Sequence, residues 1–161
     1  MSAFHGETPS TSFQRERTEP QLFSEMLPLL TAHWKEVAHF PDIPLNPDLS
    51  YYICAEAAGM VRTFTFRRDG KLIGYAVFVL RANPHYCQSL QAQQDIVYID
   101  PAARGIQSIK FLKYCDEQLK ADGVQAVYHH VKAAHNFGKV LERQGYELVD
   151  LIYTKRLDKE E

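Results

Sequence analysis

Cysteines and long apolar runs are both scarce in this sequence. The three cysteines, Cys54, Cys87 and Cys115, are odd in number and lack metal-ligand spacing, which argues against a disulfide framework or a zinc site. We interpret them as small buried side chains in a reducing compartment. No apolar run reaches the ~18 residues that a membrane helix requires, and the first residues lack the charged-then-apolar order of a secretion signal. We therefore expect a cytoplasmic protein without a membrane partner.

Positive charge is not in excess either. Lys and Arg number 18 against 20 Asp and Glu, a net charge of −2, which disfavours nucleic acid as the main partner. His129, His130 and His135 have no carboxylate or cysteine beside them, so we expect no metal site. The length of 161 residues suits one domain. We place it at residues 19–161, after a polar, Ser-, Thr- and Pro-rich segment, 1–18, that we expect to be a flexible N-terminal arm.

Hydrophobic periodicity orders the rest of the chain as helices, a hairpin, and then alternating strands and helices. We predict a kink or break at Pro28 in the first helix, and a hairpin turn at Asp69-Gly70. Residues 84–92 are expected to be a connection. The predicted helices are 19–40, 49–60, 106–121 and 133–144, and the predicted strands are 61–69, 71–83, 93–100, 124–131 and 146–157. This order predicts an α/β fold in which an antiparallel meander joins one βαβ unit in a mixed sheet.

The stretch VYIDPAARGIQSIKFLKY, residues 97–114, lacks acidic residues where a helix usually has them. Acidic side chains are favoured in the first helical turn because the N-terminus carries partial positive charge. Their absence after Arg104-Gly105 leaves the free N–H groups for an anionic ligand. Arg104 adds a guanidinium suited to phosphate, and Gly105 allows close approach of the backbone. The alternative is a helix that starts after a glycine with nothing bound.

From Gln93 to Leu157 the sequence resembles the GNAT superfamily of N-acetyltransferases, in the style of members from bacteria and their phages. That family has a Val/Ile-x-Pro turn, an Arg/Gln-x-x-Gly-x-Gly/Ala loop and a later Gly-Phe/Tyr pair. The matching residues are Ile99, Pro101, Arg104, Gly105 and the pair Gly145-Tyr146. The sequence departs from the family after Gly105, where it has IQS, and at Leu141, where many members carry a proton-donating tyrosine.

The resemblance implies a GNAT-like acyl-CoA N-acyltransferase fold, whose mixed sheet is splayed at its centre and flanked by helices. It implies acetyl-CoA (coenzyme A) as co-substrate and no metal. The diphosphate would lie against the start of the helix at 106, and the pantetheine arm would pair with strand 93–100 as an added strand does. The implied cofactor-binding residues are Val97, Ile99, Arg104, Gly105, Ile106, Gln107, Ser108, Ile109 and Asn136.

Acetyl transfer to an amine needs a base for the amine proton and a donor for the leaving thiolate. Asp95 is our first candidate base, because the family often has an acidic residue four positions before the residue that Ile99 matches. His130 is the next candidate. Adjacent strand residues face opposite sides, so only one of His129 and His130 faces the cleft, and we favour His130. The candidate proton donors are Tyr98, which we name first, Tyr128 and Tyr153.

These features predict an acetyl-CoA-dependent N-acetyltransferase that moves an acetyl group to a primary amine of a small molecule, peptide or protein. The acceptor is unidentified, and we expect the first two helices and the segments around residues 41–50 and 83–90 to enclose it. The alternative is a non-catalytic module on the same scaffold that binds coenzyme A, a protein or nucleic acid. The IQS loop and Leu141 motivate that alternative, and the sequence leaves a homodimer open.

Overall fold

The computed structural model describes residues 9–159, which form a five-stranded sheet with helices on both faces. The strands are β1 (Thr11–Glu16), β2 (Val61–Arg68), β3 (Lys71–Asn83), β4 (Tyr86–Ile99) and β5 (Ala126–Tyr128). The helices are α1 (Pro20–Val37), α2 (Leu49–Ala57), α3 (Ile106–Ala121) and α4 (Gly138–Glu142), with single 3-10 turns at Pro101–Ala103 and Ala133–His135. Strands β1 to β4 are antiparallel neighbours in that order, and β5 joins β4 in parallel. The predicted mixed sheet is confirmed.

The sheet has a different helical layer on each face. On what we call the α1–α2 face, Leu22, Met26 and Leu30 of α1 pack with Val77 and Tyr98 of the sheet. On the α3 face, a second apolar cluster joins α3 to the other side of the same strands. Its buried members include Phe64, Phe66, Phe78, Phe111, Cys115 and Leu119. Successive side chains along each strand therefore point alternately toward the α1–α2 layer and toward the α3 layer.

The first described residues belong to the sheet. Thr11–Glu16 pair with β2 along their whole length, so the flexible arm expected over 1–18 is wrong for these residues. Phe13 explains the difference, because its ring lies 5.1 Å from that of Phe66 and 5.4 Å from that of Phe111. The part of that prediction that concerns residues 1–8 lies outside the described residues. The folded domain thus begins before residue 19.

Helices α1 and α2 follow the predicted periodicity. Helix α1 continues through Pro28, so the predicted break there is wrong. The buried side chains of Met26 and Leu30, on either side of Pro28, hold the helix against the sheet. Helix α2 begins after Asp48, whose carboxylate accepts a hydrogen bond from the N–H of Tyr51 at 3.1 Å.

Two hairpins join the central strands. The predicted turn between β2 and β3 is confirmed, with positive φ at both Asp69 (49°) and Gly70 (79°). The connection predicted over 84–92 is wrong, since β3 and β4 stay paired as far as Asn83 and Tyr86. Residues 83–90 therefore lie at the hairpin end of β4, opposite the end that leads into the start of α3. The expectation that they help to enclose the acceptor stays a prediction.

The last part of the chain departs most from expectation. Helix α4 has only five residues, and no strand forms over residues 146–157. Tyr146 at one end donates its hydroxyl to Asp116, and Arg156 at the other lies 3.2 Å from Asp42. Residues 147–155, here called the C-terminal segment, run between these two anchors with exposed side chains. Within residues 9–159, β5 is consequently the last strand of the sheet.

No helix within residues 9–159 combines the length and apolarity needed to cross a membrane. Cys115 is buried as predicted, but Cys54 and Cys87 are exposed, so the interpretation of all three cysteines as buried is wrong. Cys54 lies in α2 and Cys87 lies near the start of β4, and neither side chain belongs to an apolar cluster.

Candidate functional site

A gap opens between β4 and β5. The two strands pair only from Gln91↔Ala126 to Gln93↔Tyr128, and beyond these residues they separate. The predicted splay of the sheet is therefore present, between its only parallel pair of strands among the described residues. Within residues 9–159, the rest of β4, up to Ile99, pairs with a strand on the β3 side alone.

The backbone of β4 presents hydrogen-bonding groups to this gap. Asp100 donates its N–H to the carbonyl of Ile73 at 2.8 Å. Since antiparallel bonding alternates along a strand, the backbone groups of Tyr98 point toward β3 while those of Val97 and Ile99 point into the gap. The carbonyl of Ile99 accepts a hydrogen bond from Nε of Arg104 at 2.9 Å. The gap thus offers a short row of main-chain donors and acceptors to an extended ligand.

The start of α3 lies directly after this row. Within the described chain, the N–H groups of Gly105, Ile106 and Gln107 have no hydrogen-bond partner, whereas those of Ser108 and Ile109 bond to the carbonyl of Gly105. The first turn of α3 contains no acidic residue. Of the five residues from Gly105 to Ile109, the first three therefore have N–H groups available to an anion.

Ser108 adds a polar group at the same place. Its hydroxyl oxygen is buried and has no partner among the described residues. Buried hydroxyls are usually hydrogen-bonded, so an unpartnered one in the first turn of α3 is the kind of group that a phosphate oxygen satisfies. The residues at the start of α3 thus fit a diphosphate.

Arg104 is already engaged within the protein. Its Nη2 lies 2.7 Å from a carboxylate oxygen of Glu36, near the end of α1. Its Cζ lies 5.6 Å from the centre of the Tyr98 ring. The hydrogen bond from Arg104 lowers the pKa of Glu36, and that same bond raises the pKa of the guanidinium. Arg104 therefore borders the α3 start with its charge partly neutralised by Glu36.

A β-bulge places Asp95. Val77 pairs with Ile96 and the next residue, Phe78, pairs with Gln94, so Asp95 is the extra residue in β4. Its carboxylate is exposed on the α1–α2 face, and it accepts a hydrogen bond from the hydroxyl of Tyr52 at 2.7 Å. Burial and this bond to Asp95 raise the pKa of Tyr52, which keeps the phenol protonated. The bulge and α2 together fix a carboxylate where β4 starts to separate from β5.

The two adjacent histidines after β5 face opposite sides, as expected. His129 lies on the α3 face, with its ring 5.6 Å from Phe78 and its Nδ1 2.6 Å from Oε1 of Gln94. Burial lowers its pKa to about 4, so the ring is neutral near neutral pH. His130 is exposed, and its Nε2 lies 2.9 Å from Nε2 of Gln93. His130 is therefore the histidine beside the gap, while His129 belongs to the core.

The tyrosine candidates have different surroundings. Tyr98 is only 5% exposed and stacks on His33 of α1 at 5.0 Å between ring centres. Burial raises the pKa of Tyr98 and lowers that of His33. Tyr153 is 89% exposed in the C-terminal segment. Tyr98 is thus the candidate that lies on the α1–α2 face with Asp95.

Asn136 lies in the loop before α4. Its side-chain oxygen accepts the N–H of Gly138 at 2.7 Å, which leaves its amide nitrogen as the group that remains for a ligand. Among residues 9–159, no cluster of three or more His, Cys, Asp or Glu side chains is suited to a metal ion.

The structure brings most of the predicted site residues together. Asp95, Tyr98 and His130 lie on the α1–α2 face, and Val97, Ile99 and residues 105–108 surround the mouth of the gap. Sequence reasoning missed the carboxylate of Glu36 as the partner of Arg104 and did not connect Tyr52 with Asp95. These pairs are separated by 68 and 43 positions, and no local pattern signals contacts at such distances.

Comparison with known proteins supports the same architecture. No protein-family model and no curated protein matches the chain. Among solved structures, a predicted acetyltransferase of Clostridium acetobutylicum, solved with acetyl-CoA, is similar with a TM-score of 0.70 at 12% identity, over 92% of this chain and 97% of that one. An aminoglycoside acetyltransferase from an uncultured soil metagenomic sample gives 0.67 at 14% identity, over 91% and 97%.

A plant enzyme extends the comparison. Glucosamine-6-phosphate N-acetyltransferase from Arabidopsis thaliana has a TM-score of 0.67 at 11% identity, over 92% of this chain and 99% of that one. At such identities the likeness concerns the fold. The splayed sheet and these neighbours together show that the chain has the GNAT acyl-CoA N-acyltransferase fold.

Proposed function

We propose that the protein is an acetyl-CoA-dependent N-acetyltransferase that acts on a primary amine of a small molecule, peptide or protein. The observation that carries this proposal is the gap between β4 and β5, which opens directly onto the unpartnered N–H groups at the start of α3. A row of backbone groups that leads to an anion site matches a ligand with an amide-containing arm and a diphosphate. Several proteins with this fold are themselves described as acetyltransferases.

The binding roles follow from the contacts. The N–H groups of Gly105, Ile106 and Gln107 and the hydroxyl of Ser108 would hold the diphosphate, with Arg104 beside them. The backbone of Val97 and Ile99 would pair with the amides of the pantetheine arm, and the amide nitrogen of Asn136 could reach the same arm. Ile109 would not donate its N–H to the diphosphate, because this group already bonds to the carbonyl of Gly105. Its role would be to complete the first turn of α3. Acetyl-CoA supplies the activated acetyl thioester.

The catalytic roles use the α1–α2 face. Acyl transfer forms a C–N bond, breaks a C–S bond and removes a proton from the attacking amine. Asp95 would accept that proton directly or through water, while Tyr52 holds the carboxylate in place. His130 would be the second candidate base, positioned by Gln93. Tyr98 would protonate the leaving thiolate, a role that requires the ligand to displace its present neighbours.

The acceptor would approach from the side of α1 and α2, since Asp95 is exposed there. We propose that the protein works in the cytoplasm.

Thermal melting with acetyl-CoA tests the binding step. At 100 times its dissociation constant the ligand should stabilise the protein by about 2.7 kcal/mol. A thiol-release assay with a panel of amines then tests turnover. An unchanged melting temperature at millimolar acetyl-CoA would refute the proposal.

A second candidate function is a non-catalytic module that binds coenzyme A. The ion pair between Arg104 and Glu36 favours it, because this pair diverts a guanidinium from the phosphate site. So does Leu141, which is buried and carries no hydroxyl. Stabilisation by acetyl-CoA without thiol release with any amine would identify this function.

A further inference from the structure

Tyr75 of β3 is an aromatic core residue whose hydroxyl has no hydrogen-bond partner. The side chain is fully buried, and its oxygen bonds to no group within residues 9–159. Buried hydroxyls are nearly always hydrogen-bonded, because an unpaired one loses its bonds to water and gains none in return. A phenylalanine would fill the same space without that cost. Packing alone therefore does not explain why a tyrosine stands at this position.

The two faces of the sheet differ in their buried aromatic residues. On the α3 face these residues are all phenylalanines, namely Phe64, Phe66, Phe78 and Phe111. On the α1–α2 face they are both tyrosines, Tyr75 and Tyr98, and half-buried Tyr52 of α2 packs against the same cluster. Phenol groups are thus concentrated on the face that carries Asp95.

Tyr52 offers an oxygen that could accept the hydrogen bond of Tyr75. Tyr52 donates its own proton to Asp95 at 2.7 Å, and its oxygen accepts no hydrogen bond within residues 9–159. A phenol can donate one hydrogen bond and accept another at the same time. Burial raises the pKa of Tyr75. Interactions with Tyr98, Tyr52 and Asp95 raise it further, so these groups lie near its hydroxyl.

Tyr98 is the other phenol near Tyr75, with 6.3 Å between the ring centres. Its surroundings differ, because the guanidinium of Arg104 lies over its ring. Burial raises the pKa of Tyr98, and the charge of Glu36 raises it further while that of Arg104 lowers it. The Tyr98 hydroxyl therefore belongs with the ion pair at the start of α3, which leaves Tyr52 as the acceptor for Tyr75.

We propose that Tyr75 is a positioning residue for Asp95, and that its hydroxyl donates through one bridging water molecule to the oxygen of Tyr52. The two hydroxyls are not in direct contact, and a water between them has both phenols and the carboxylate as polar partners. The resulting chain of hydrogen bonds runs from the core through half-buried Tyr52 to exposed Asp95.

This chain of hydrogen bonds holds the carboxylate of Asp95 in one orientation. Each hydrogen bond polarises the next one, so the bond from Tyr52 to Asp95 becomes stronger when Tyr75 supports it. The kinetic consequence rests on the proposed acetyltransferase function, in which Asp95 accepts the proton of the amine. The chain of hydrogen bonds itself exists without ligand.

Tyrosine NMR tests the chain of hydrogen bonds without ligand or turnover. Labelling with carbon-13 at Cζ reports on each of the nine tyrosines, and Tyr52→Phe assigns the Tyr52 signal. Tyr75→Phe should shift that signal, because the Tyr52 oxygen loses a hydrogen bond. Tyr114→Phe, at a half-buried tyrosine on the α3 face, is the matched control and should leave it in place. An unshifted Tyr52 signal in Tyr75→Phe, or a shift confined to Tyr98, overturns the proposal.

Thermal melting of Tyr75→Phe tests whether the hydroxyl is paired. Removal of an unpaired buried hydroxyl should raise the melting temperature, whereas removal of a paired one should not. We expect the melting temperature of Tyr75→Phe to equal or fall below that of the unmodified protein. A higher value would mean that the hydroxyl has no partner, and it overturns the proposal.

Steady-state kinetics tests the effect on the proposed reaction. Tyr75→Phe and Tyr52→Phe should each lower kcat about 3- to 10-fold, the effect of one hydrogen bond, with KM for acetyl-CoA unchanged. The double variant should be no slower than Tyr52→Phe, because Tyr75 acts through Tyr52. Losses that multiply, or an unchanged kcat in Tyr75→Phe, overturn the proposal. An inactive unmodified protein would refute the proposed function instead, and the NMR result would then decide whether Tyr75 supports Tyr52.

Discussion

At the residue scale, the most specific prediction is that Asp95 accepts the proton of the attacking amine. Its place in the β4 bulge and its bond to Tyr52 fix a carboxylate beside the gap. Asp95→Asn removes the proton acceptor but keeps the size of the side chain. We expect kcat to fall about 10²–10⁴-fold, with the stabilisation by acetyl-CoA retained. Thiol release and thermal melting measure the two effects.

Glu117→Gln is the control for this change, since Glu117 is an exposed carboxylate on α3. It should leave both turnover and melting unaltered. Normal turnover of Asp95→Asn would remove Asp95 from the mechanism and leave His130 as the candidate base.

The pair of Arg104 and Glu36 gives a second residue-scale prediction. Arg104→Gln should weaken acetyl-CoA binding about 10-fold, through loss of a charged hydrogen-bond donor near the diphosphate. Glu36→Gln should instead tighten binding severalfold, because it releases the guanidinium from its carboxylate partner. Isothermal titration calorimetry measures both, with the exposed Arg143→Gln as control. Weaker binding in Glu36→Gln would mean that Glu36 positions Arg104 for the ligand.

The sequence predicted the position of a single residue correctly where a local motif determines that position. The turn and loop from Ile99 to Gly105 precede a helix in a predictable way, and the opposite facing of His129 and His130 follows from strand geometry. The bond between Tyr52 and Asp95 was not predictable. It depends on how α2 packs over a bulge, and one sequence does not reveal a bulge.

At the scale of elements, the open side of β4 predicts an alternating pattern of amide protection. The N–H groups of Val97 and Ile99 point into the gap, while those of Ile96 and Tyr98 bond toward β3. Hydrogen exchange should therefore be fast at the first pair and slow at the second. Acetyl-CoA should slow exchange at Val97 and Ile99, and NMR measures each residue separately. Uniform protection along β4 without ligand would contradict the open gap.

Strand β1 gives another element-scale prediction. Phe13 contacts Phe66 of the neighbouring strand β2 and Phe111 of α3, so Phe13→Ala should reduce the free energy of unfolding by about 2 kcal/mol. Urea denaturation measures the loss. Gln14→Ala, at the exposed neighbouring position, should have little effect. Equal stability of the two variants would contradict the packing of β1 on the sheet and would favour a flexible arm at residues 11–16.

The elements that sequence analysis predicted well are those with local signals. Asp69-Gly70 specifies the β2–β3 turn, and an apolar stripe from Ile106 to Leu119 specifies α3. Strand β1 and the C-terminal segment were missed because strand pairing at a sheet edge depends on distant partners. The alternating pattern of residues 146–157 predicts a strand, but it does not say whether the chain supplies a partner for it.

At the scale of the whole molecule, the stability of the fold should depend on pH through His129. Burial lowers the pKa of its ring from 6.5 to about 4 in the folded protein. The unfolded chain therefore binds a proton that the folded protein excludes. The neutral His129 ring therefore contributes to the free energy of unfolding in full above about pH 6.5, and this contribution is lost as the pH falls toward 4. Between about pH 7 and pH 5 the ring should account for a loss of about 2 kcal/mol of unfolding free energy.

His129→Gln isolates this contribution, since Glu16 and Glu36, whose pKa values Arg67 and Arg104 lower, also lose stabilising interactions in acid. Urea denaturation at both pH values should show a smaller loss in His129→Gln than in the unmodified protein. His85→Gln, in the remote hairpin turn, is the control. Equal losses in all three proteins would contradict the enclosed, neutral state of His129.

The gap between β4 and β5 has an evolutionary consequence for the protein as a whole. Its hydrogen-bonding groups are peptide atoms, and every residue type except proline carries the same ones. Side chains along β4 can therefore diverge while the groups that face the gap stay in place. Alanine scanning would leave these groups intact, and replacement of single amides by esters would be needed to remove them. A binding gap made of backbone atoms is therefore compatible with the sequence identities of only 11–14% between this chain and the solved structures that share its fold.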